Sequence, residues 1–447
     1  MLEINIDHNV QEHFESELSD INFLYNKGDY VEAFSKGVML QEKMPDNVAL
    51  HNLVGASELA LGDPKAAANS YARAIEVDPY FLGSYINLGS LYRSLGMNDE
   101  ALSIYKIALK MNDREPSLYY NIGNLLMDFQ EYHLAQDSFN EALKIDPNHL
   151  DAHYNLALSL IHVWKRNNSL SSMLYTLEEN SNTSVELLRT AKMHLERAES
   201  ANLKNTEYYQ LLAEIQLEQG DFKKSEKNSK KSISLDTKAF ESYLNLARLR
   251  YRVRDFEGAA SLSETALKIK PTLDTAKVEL GLAKFNLGKV EEAIKIFKEL
   301  SLALPGNNDI KYNLSLALGA AGKYSESWEI FSSRFKLGMD RENFEKFSIF
   351  PKWDGKRCKS IAVWQEQGVG DVIFFSSMLM ELTKFVDQIN VFIDERLIEF
   401  FKNSFPSFNF FDQSTVIMAG DFETHIPIGD LPMYFRNKPS DFPKRQN

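Results

Sequence analysis

The sequence predicts an α-solenoid of stacked helical hairpins followed by a small partial α/β domain. Three observations predict it. Glycines recur with a period of 34 residues: Gly28, Gly62 and Gly96 stand that far apart, and Gly220, Gly288 and Gly322 share a later phase. Between them apolar residues fall at helical spacing, two runs to each period, which describes one hairpin per repeat. Beyond about residue 340 the period stops and short β-rich runs alternate with helical ones; thirteen of the 29 phenylalanines lie after Phe350.

The composition fits a folded chain with a large core: 44% of the 447 residues are hydrophobic and 25% charged. Fifty Lys and Arg against 63 Asp and Glu give a net charge of −13. That field disfavours nucleic acid and anionic lipid, so no nucleic-acid partner is expected. No run approaches the roughly 18 apolar residues of a membrane span, and the residues after Met1 lack a signal-peptide layout. A cytoplasmic location is the default expectation. Cys358 is the single cysteine, which excludes an intramolecular disulfide and a cysteine-held zinc. The nine histidines show no metal-ligand spacing, and neither a metal nor a cofactor is expected.

Within each period further columns repeat. Five residues after the glycine column stand Ala33, Ala67, Ala101, Ala135, Ser225, Ala259, Ala293 and Ser327; seventeen after it stand Pro45, Pro79, Pro147, Pro271 and Pro305. The prolines stop the second helix, because they have no N–H to continue the ladder. Gln130 and Arg254 fill vacant places in the glycine column. Counted from the start of a unit, Tyr85, Leu88, Gly89 and Tyr92 occupy places 4, 7, 8 and 11, and Ala101, Tyr105 and Ala108 places 20, 24 and 27. Small residues at 8 and 20 let the helices approach and aromatics fill the gaps.

These columns resemble the tetratricopeptide repeat over about three quarters of the chain. About nine units, within 1–340, begin near Phe14, Val48, Leu82, Pro116, Leu150, Thr206, Phe240, Asp274 and Asn308. The fifth is interrupted. Gly96 and Gly220 are three periods plus 22 residues apart, so an insertion near 162–183 is expected as a loop or a lengthened helix end. The second helix of this unit is expected at Ser184 to Ala201, with Ala191, Leu195 and Ala198 in the 20, 24 and 27 columns.

In stacked hairpins of this kind the first helices line a concave binding face. Place 6 points to it, and Asn occupies that place in Asn87, Asn121, Asn155, Asn245 and Asn313. An amide donates and accepts together, so it can hold a peptide group whatever side chains flank it. The alternative is that each Asn only satisfies the neighbouring helix. Resemblance to the repeat arm of O-linked N-acetylglucosamine transferases, where a similar ladder holds polypeptide, implies a polypeptide or glycan acceptor in the groove. The basic run Lys223, Lys224, Lys227, Lys230 and Lys231 lies on a second helix and is expected to be a solvated outer face.

From residue 341 to 447, strands are expected at Ser360–Trp364, Ile389–Ile393, Phe408–Phe411 and Thr424–Ile428. Helices are expected from Val372 to about Phe385 and from Glu395 to Phe405. Alternation of this kind implies parallel βα units with ligands near the strand C-termini. The turn Gly368-Val-Gly-Asp371 sits where the first strand hands over to a helix. On its own it supports either an active-site address or a helix cap for Asp371.

Trp353-Asp-Gly355, Glu366-Gln-Gly-Val-Gly-Asp-Val-Ile373, Glu395-Arg-Leu397 with Phe405-Pro406, and His425-Ile-Pro-Ile-Gly-Asp-Leu-Pro432 resemble the amino-terminal half of heptosyltransferase-like glycosyltransferases. The resemblance runs from about Pro351 to Pro443 and implies a partial Rossmann-like domain of the GT-B type. It implies Asp371 as the base that takes the acceptor hydroxyl proton, with Glu366, Gln367, Gly368, Gly370 and His425 at the substrate site; Asp430 could line the same cleft. A solvated loop edge or a structural role at a strand end is the alternative for the flanking residues. The donor-binding half of such enzymes has no counterpart up to Asn447, so a donor-domain partner chain and an exposed apolar wall are expected. Two functions follow: a repeat scaffold attached to the acceptor half of a glycosyltransferase, or a noncatalytic peptide-binding adaptor with a vestigial terminal domain.

Overall fold

The structure is a computed structural model that describes residues 8–167, 182–198, 205–337, 340–366 and 368–443. They form two compact units that divide at residue 208. The first contains five hairpins: α1 (His8–Lys27) with α2 (Tyr30–Lys43), α3 (Val48–Ala60) with α4 (Pro64–Val77), α5 (Leu82–Ser94) with α6 (Asn98–Met111), α7 (Pro116–Asp128) with α8 (Tyr132–Ile145), and α9 (Leu150–Asn167) with α10 (Asn182–Ala198). In the second, four hairpins pair α11 (Thr206–Glu218) with α12 (Phe222–Leu235), α13 (Phe240–Arg252) with α14 (Phe256–Ile269), α15 (Asp274–Asn286) with α16 (Val290–Ala303), and α17 (Asn308–Ala320) with α18 (Tyr324–Phe331).

The 34-residue ruler is visible in the hydrogen bonds. At the end of α1 the Gly28 N–H reaches the Tyr25 carbonyl and the Asp29 N–H reaches that of Leu24, both at 2.9 Å. This closes the helix while Gly28 takes φ +89°. Asp29 then caps α2 by accepting from the Glu32 N–H, and Asp63, Asp221 and Asp255 cap their helices in the same way. Gln130 and Arg254 do the glycine's work at φ 60° and 64°. Inside the hairpins the place-8 glycines lie against place-24 rings: a Cβ at Gly89 would meet Tyr105, and one at Gly123 would meet Phe139. Ala33, Ala67, Ala101 and Ala135 are fully buried beside them.

The first helices from α3 onward start at the expected residues. In the fifth unit α9 runs to Asn167, 18 residues against 13 in α7. Of the insertion expected near 162–183, residues 168–181 lie outside the described residues. Ala191, Leu195 and Ala198 of α10 are fully buried, as their columns require. Ala201, the expected end of that helix, is also outside the described residues. Lys223, Lys224, Lys227, Lys230 and Lys231 are all exposed.

After α18 come two short helices, α19 (Ser333–Lys336) and α20 (Arg341–Phe347), and then an α/β segment. It runs β1 (Cys358–Trp364), α21 (Val369–Ser376), α22 (Leu379–Leu382), β2 (Val386–Ile393), α23 (Glu395–Ser404), β3 (Asn409–Asp412), β4 (Thr424–Pro427) and α24 (Pro432–Phe435). The sheet is parallel in the order β3-β2-β1-β4. Alternate residues of β1 face opposite layers: Ile361 and Val363 pack with Val372, Leu379 and Phe401, while Ala362 and Trp364 pack with Phe347 and Phe392.

The single helix expected from Val372 to Phe385 is two. Ser376 and Ser377 turn their hydroxyls onto the carbonyls of Ile373 and Phe374, at 2.7 and 3.0 Å, which competes with the helical ladder at the break. Because β2 and β3 extend the sheet to one side of β1 and β4 to the other, the topological switch point lies between the C-terminal ends of β1 and β4.

Candidate functional site

Three of the five place-6 amides on the first helices bond to the preceding hairpin. Asn87 Nδ2 donates to Asn52 Oδ1 at 2.9 Å, and Asn155 Nδ2 to Asn124 Oδ1 at 2.6 Å. Asn245 Nδ2 donates to the Gln210 carbonyl at 3.3 Å. The partners stand at places 5 and 9 of the previous unit, which the 34-residue period brings alongside place 6. Each of these bonds uses the donor side of the amide only. No described donor reaches Oδ1 of Asn87 or Asn155, and Asn121, half-buried, has no side-chain hydrogen bond among the described residues. Asn245 and Asn313 differ in being buried.

Sequence reasoning missed that the same column continues with a carboxylate. Glu279 holds place 6 of α15, 3% exposed, and accepts from Arg248 Nε at 3.1 Å. Arg248 lies 3.9 Å from Glu214, and Arg252 pairs with Glu218 at 2.5 Å. Burial pushes the Glu279 carboxyl up, against the pull of Arg248 and Arg252. The signal was present, since Glu214, Arg248 and Glu279 fall at places 9, 9 and 6, but one Glu in a column of Asn does not announce its partner.

At the switch point the residues implied by the glycosyltransferase resemblance converge, with different exposures. Glu366, immediately after β1, is 1% exposed. Arg334 of α19 grips it through Nε at 2.6 Å and Nη2 at 2.5 Å, and the Gly429 N–H reaches Oε1 at 2.8 Å. Gly429 must be glycine here, because a Cβ would collide with that oxygen. Arg334 Nη2 also donates to Asp430 at 2.6 Å, and Lys352 reaches the other Asp430 oxygen at 2.5 Å. The guanidinium is fully buried and lies 4.1 Å from the ring centroids of both Phe331 and Phe335. Burial works against both carboxylates. Asp430, held by two cations, is nevertheless drawn below its usual range, whereas Glu366, held by one, stays above it.

His425 of β4 is buried, and its Nδ1 accepts from the Trp364 indole at 3.0 Å. Burial, reinforced by the Lys352 ammonium, lowers its pKa to about 4, so the ring is neutral. Glu366 and His425 therefore build the floor of the switch point, both Glu366 oxygens and His425 Nδ1 being engaged within the chain. Asp371 is exposed on α21 and accepts from the Gly368 N–H at 3.3 Å, one arm of a capping arrangement that glycine, without a side chain, cannot reciprocate. Neither Gly368 nor Gly370 has positive φ, so neither glycine serves a left-handed turn. Space is open around both: nothing lies within 4 Å of a Cβ at Gly370, and only Asp371 Oδ2, at 3.7 Å, at Gly368. Gln367 lies outside the described residues. Burial raises the Tyr312 phenol of α17, whose electrostatic neighbours Arg334, Asp371 and Glu366 place the last repeat beside this turn.

The hairpin geometry and the amide column define a repeat protein, and family models agree: the tetratricopeptide repeat matches at residues 84–117, 116–149 and 206–238. Tetratricopeptide repeats are thus present in both units. Over 187 residues the chain is 26% identical to Protein O-mannosyl-transferase TMTC3 of Homo sapiens, covering 38% of this chain and 20% of that protein. The Mus musculus protein of the same name is 26% identical over 155 residues, covering 31% and 17%. The chain spans about a fifth of the length of these curated relatives. Among solved structures, YrrB, described as a TPR protein with an unusual peptide-binding site, is 22% identical with a TM-score of 0.38, over 47% of this chain and 96% of that one. No helix among the described residues is long and apolar enough to cross a membrane.

Proposed function

We propose that the protein is a repeat scaffold that holds an extended polypeptide on the first-helix faces of its tetratricopeptide hairpins. The observation that carries this is the unused amide capacity at place 6. Asn87 and Asn155 keep a free Oδ1, and Asn121 a whole amide, at half-buried positions one period apart. A peptide N–H satisfies such oxygens irrespective of sequence. The test is fluorescence anisotropy with labelled random-coil peptides. Wild type binds, and the triple variant Asn87→Ala, Asn121→Ala, Asn155→Ala binds at least about tenfold more weakly, a loss of roughly 1.4 kcal/mol. Equal affinity of the two proteins rules the amide column out as the peptide site.

The α/β segment, which we assign to about 341–447, supports the finer reading that the polypeptide is presented for sugar transfer. The relatives named as O-mannosyl-transferases point toward the same chemistry. In this reading Asp371, exposed beside two glycines that leave open space, takes the proton of the acceptor hydroxyl, while Glu366 and His425 fix the floor beneath it. In this reading the nucleotide-sugar donor is held outside the α/β segment. Asp371→Asn then abolishes transfer by the assembled enzyme and leaves the circular dichroism unchanged; undiminished turnover removes Asp371 from the chemistry. The adaptor reading keeps peptide binding and lacks transfer altogether.

A further inference from the structure

The fifth hairpin holds a histidine pair that the peptide reading does not use. His153 and His194 are buried, with their Nδ1 atoms 2.8 Å apart. Burial lowers the pKa of both, that of His194 to about 4, so both rings are neutral. The repeat decides which of them donates. At place 4 of their units, His51, Tyr85 and His153 each turn a side-chain donor onto the carbonyl of the proline six residues earlier. The distances are 2.7 Å to Pro45, 3.0 Å to Pro79 and 3.0 Å to Pro147. A carbonyl only accepts, so His153 carries its proton on Nε2 and offers a lone pair at Nδ1. His194 then donates from Nδ1, and its Nε2 is left as an acceptor. In the second hairpin the corresponding lone pair of His51 is met by the Gln41 amide at 3.0 Å, which closes that chain of bonds. At His194 the chain ends on a lone pair instead.

This nitrogen has no hydrogen-bond partner among the described residues and, unlike Asn313 Nδ2, it is not sealed from solvent. His194 lines a cavity of about 440 Å³ within the first unit, between α8, α9 and α10. On α8, Asp137, Asn140, Glu141 and Lys144 line it at helical spacing and share one face. Asp137 and Asn140 are exposed and make no side-chain hydrogen bond among the described residues. Lys144 is held by Glu141 at 2.5 Å.

These walls select against charge. A cation at Nε2 would meet Arg197 and Lys144, and the burial that keeps a proton off this ring acts on it in the same way. An anion would face the lone pair together with Asp137 and Glu141. Among the described residues no group of three His, Cys, Asp or Glu side chains is placed to hold a metal ion. The occupant is therefore a neutral donor. A hydroxyl suits this wall, because one oxygen both gives to His194 or Asp137 and takes from the Asn140 amide. Leu143 and Pro147 add an apolar patch for carbon-bound hydrogens.

We propose that the cavity binds a neutral polyhydroxyl ligand, a sugar ring, with one hydroxyl donating to His194 Nε2 and its neighbours bonded to Asp137 and Asn140. Its volume is that of a small-molecule site. Because α8 and α10 are second helices, the site is separate from the place-6 column and does not rest on the peptide reading.

The experiment titrates the methyl glycosides of glucose, galactose and mannose into protein labelled with ¹⁵N at histidine and follows the ring nitrogens by NMR. Ethylammonium, acetate and a plain Ala-Ser peptide are the competing probes. At least one glycoside moves the unprotonated His194 Nε2 resonance upfield, saturably and in the millimolar range. Asp137→Ala combined with Asn140→Ala weakens that binding at least about fivefold and leaves Tm unchanged, since both residues are exposed. His194→Gln keeps an amide donor for His153, as Gln41 does for His51, and also weakens it. A serine-linked glycopeptide separates the two sources of such a ring: tighter binding than the methyl glycoside assigns the site to sugar on a polypeptide, equal affinity to free sugar. No saturable shift with any glycoside overturns the proposal. So does tighter binding of a charged probe or of the plain peptide, or glycoside binding that survives both variants.

Discussion

His425 shows how one buried side chain sets a pH dependence. The Trp364 indole donates to its Nδ1, so the ring proton sits on Nε2, and burial holds the folded pKa near 4. In the unfolded chain the ring titrates at about 6.5. As pH falls the unfolded state therefore takes up the proton first. The stability His425 contributes is complete above pH 6.5 and is lost as pH falls from there to 4, an effect of about 3 kcal/mol. Buried carboxyls such as Glu366, whose pKa is raised, act in the opposite direction, so the comparison must be between proteins. His425→Asn keeps an acceptor for the indole without the titration. Urea unfolding at pH 7.5 and 4.5 is expected to show a smaller loss in the variant, and parallel losses would assign the acid sensitivity elsewhere.

At the scale of the element, the hairpin was almost wholly legible, because its rules are local. A 34-residue column fixes which residue must leave the helix and which glycine meets a ring. The column even located the two residues that substitute for glycine. Gln130 and Arg254 are exposed at positive φ, a conformation that strains a side-chain-bearing residue by roughly 1–2 kcal/mol. Gln130→Gly is expected to gain up to about 1 kcal/mol once glycine's extra backbone freedom in the unfolded chain is subtracted. Gly123→Ala works the other way, because its Cβ enters the Phe139 ring of a packed hairpin, and it is expected to lose about 1–3 kcal/mol. Thermal melts of the two variants test both signs. The α/β strands were also legible to within a few residues from their apolar runs, whereas the break after Ser376 was not. It depends on two hydroxyls choosing carbonyls, and periodicity is blind to that choice.

The whole molecule is where the sequence said least. Glu366 and Asp430 were visible as residues flanking a cleft, but their partner Arg334 lies 32 and 96 positions away, in the degraded tail of the repeats. Nothing local marks it. Through this residue the repeats and the sheet become one packed body within the second unit: at the β1/β4 switch point, where an open parallel sheet ordinarily receives a ligand, the chain's own guanidinium ties Glu366 to Asp430. Trp328 adds a second tie by donating its indole N–H to the Arg436 carbonyl at 2.8 Å. The consequence can be measured. Arg334→Met leaves two buried carboxylates facing each other with only Lys352 to balance them, and removing one partner of such a cluster is destabilising by about 3–5 kcal/mol. If the cluster serves as a lock, its charges matter less than their match, and neutralising all three together restores most of the loss. The triple variant Arg334→Met, Glu366→Gln, Asp430→Asn keeps the Gly429 bond through the Gln oxygen and frees Lys352, already partly exposed, to water. Trp328, Trp353 and Trp364 lie in this region, so their fluorescence in urea follows its unfolding. A single variant as stable as wild type would show that the guanidinium bridges the two carboxylates without fastening the fold. A triple variant no more stable than the single would show that the cluster contributes attraction as well as compensation.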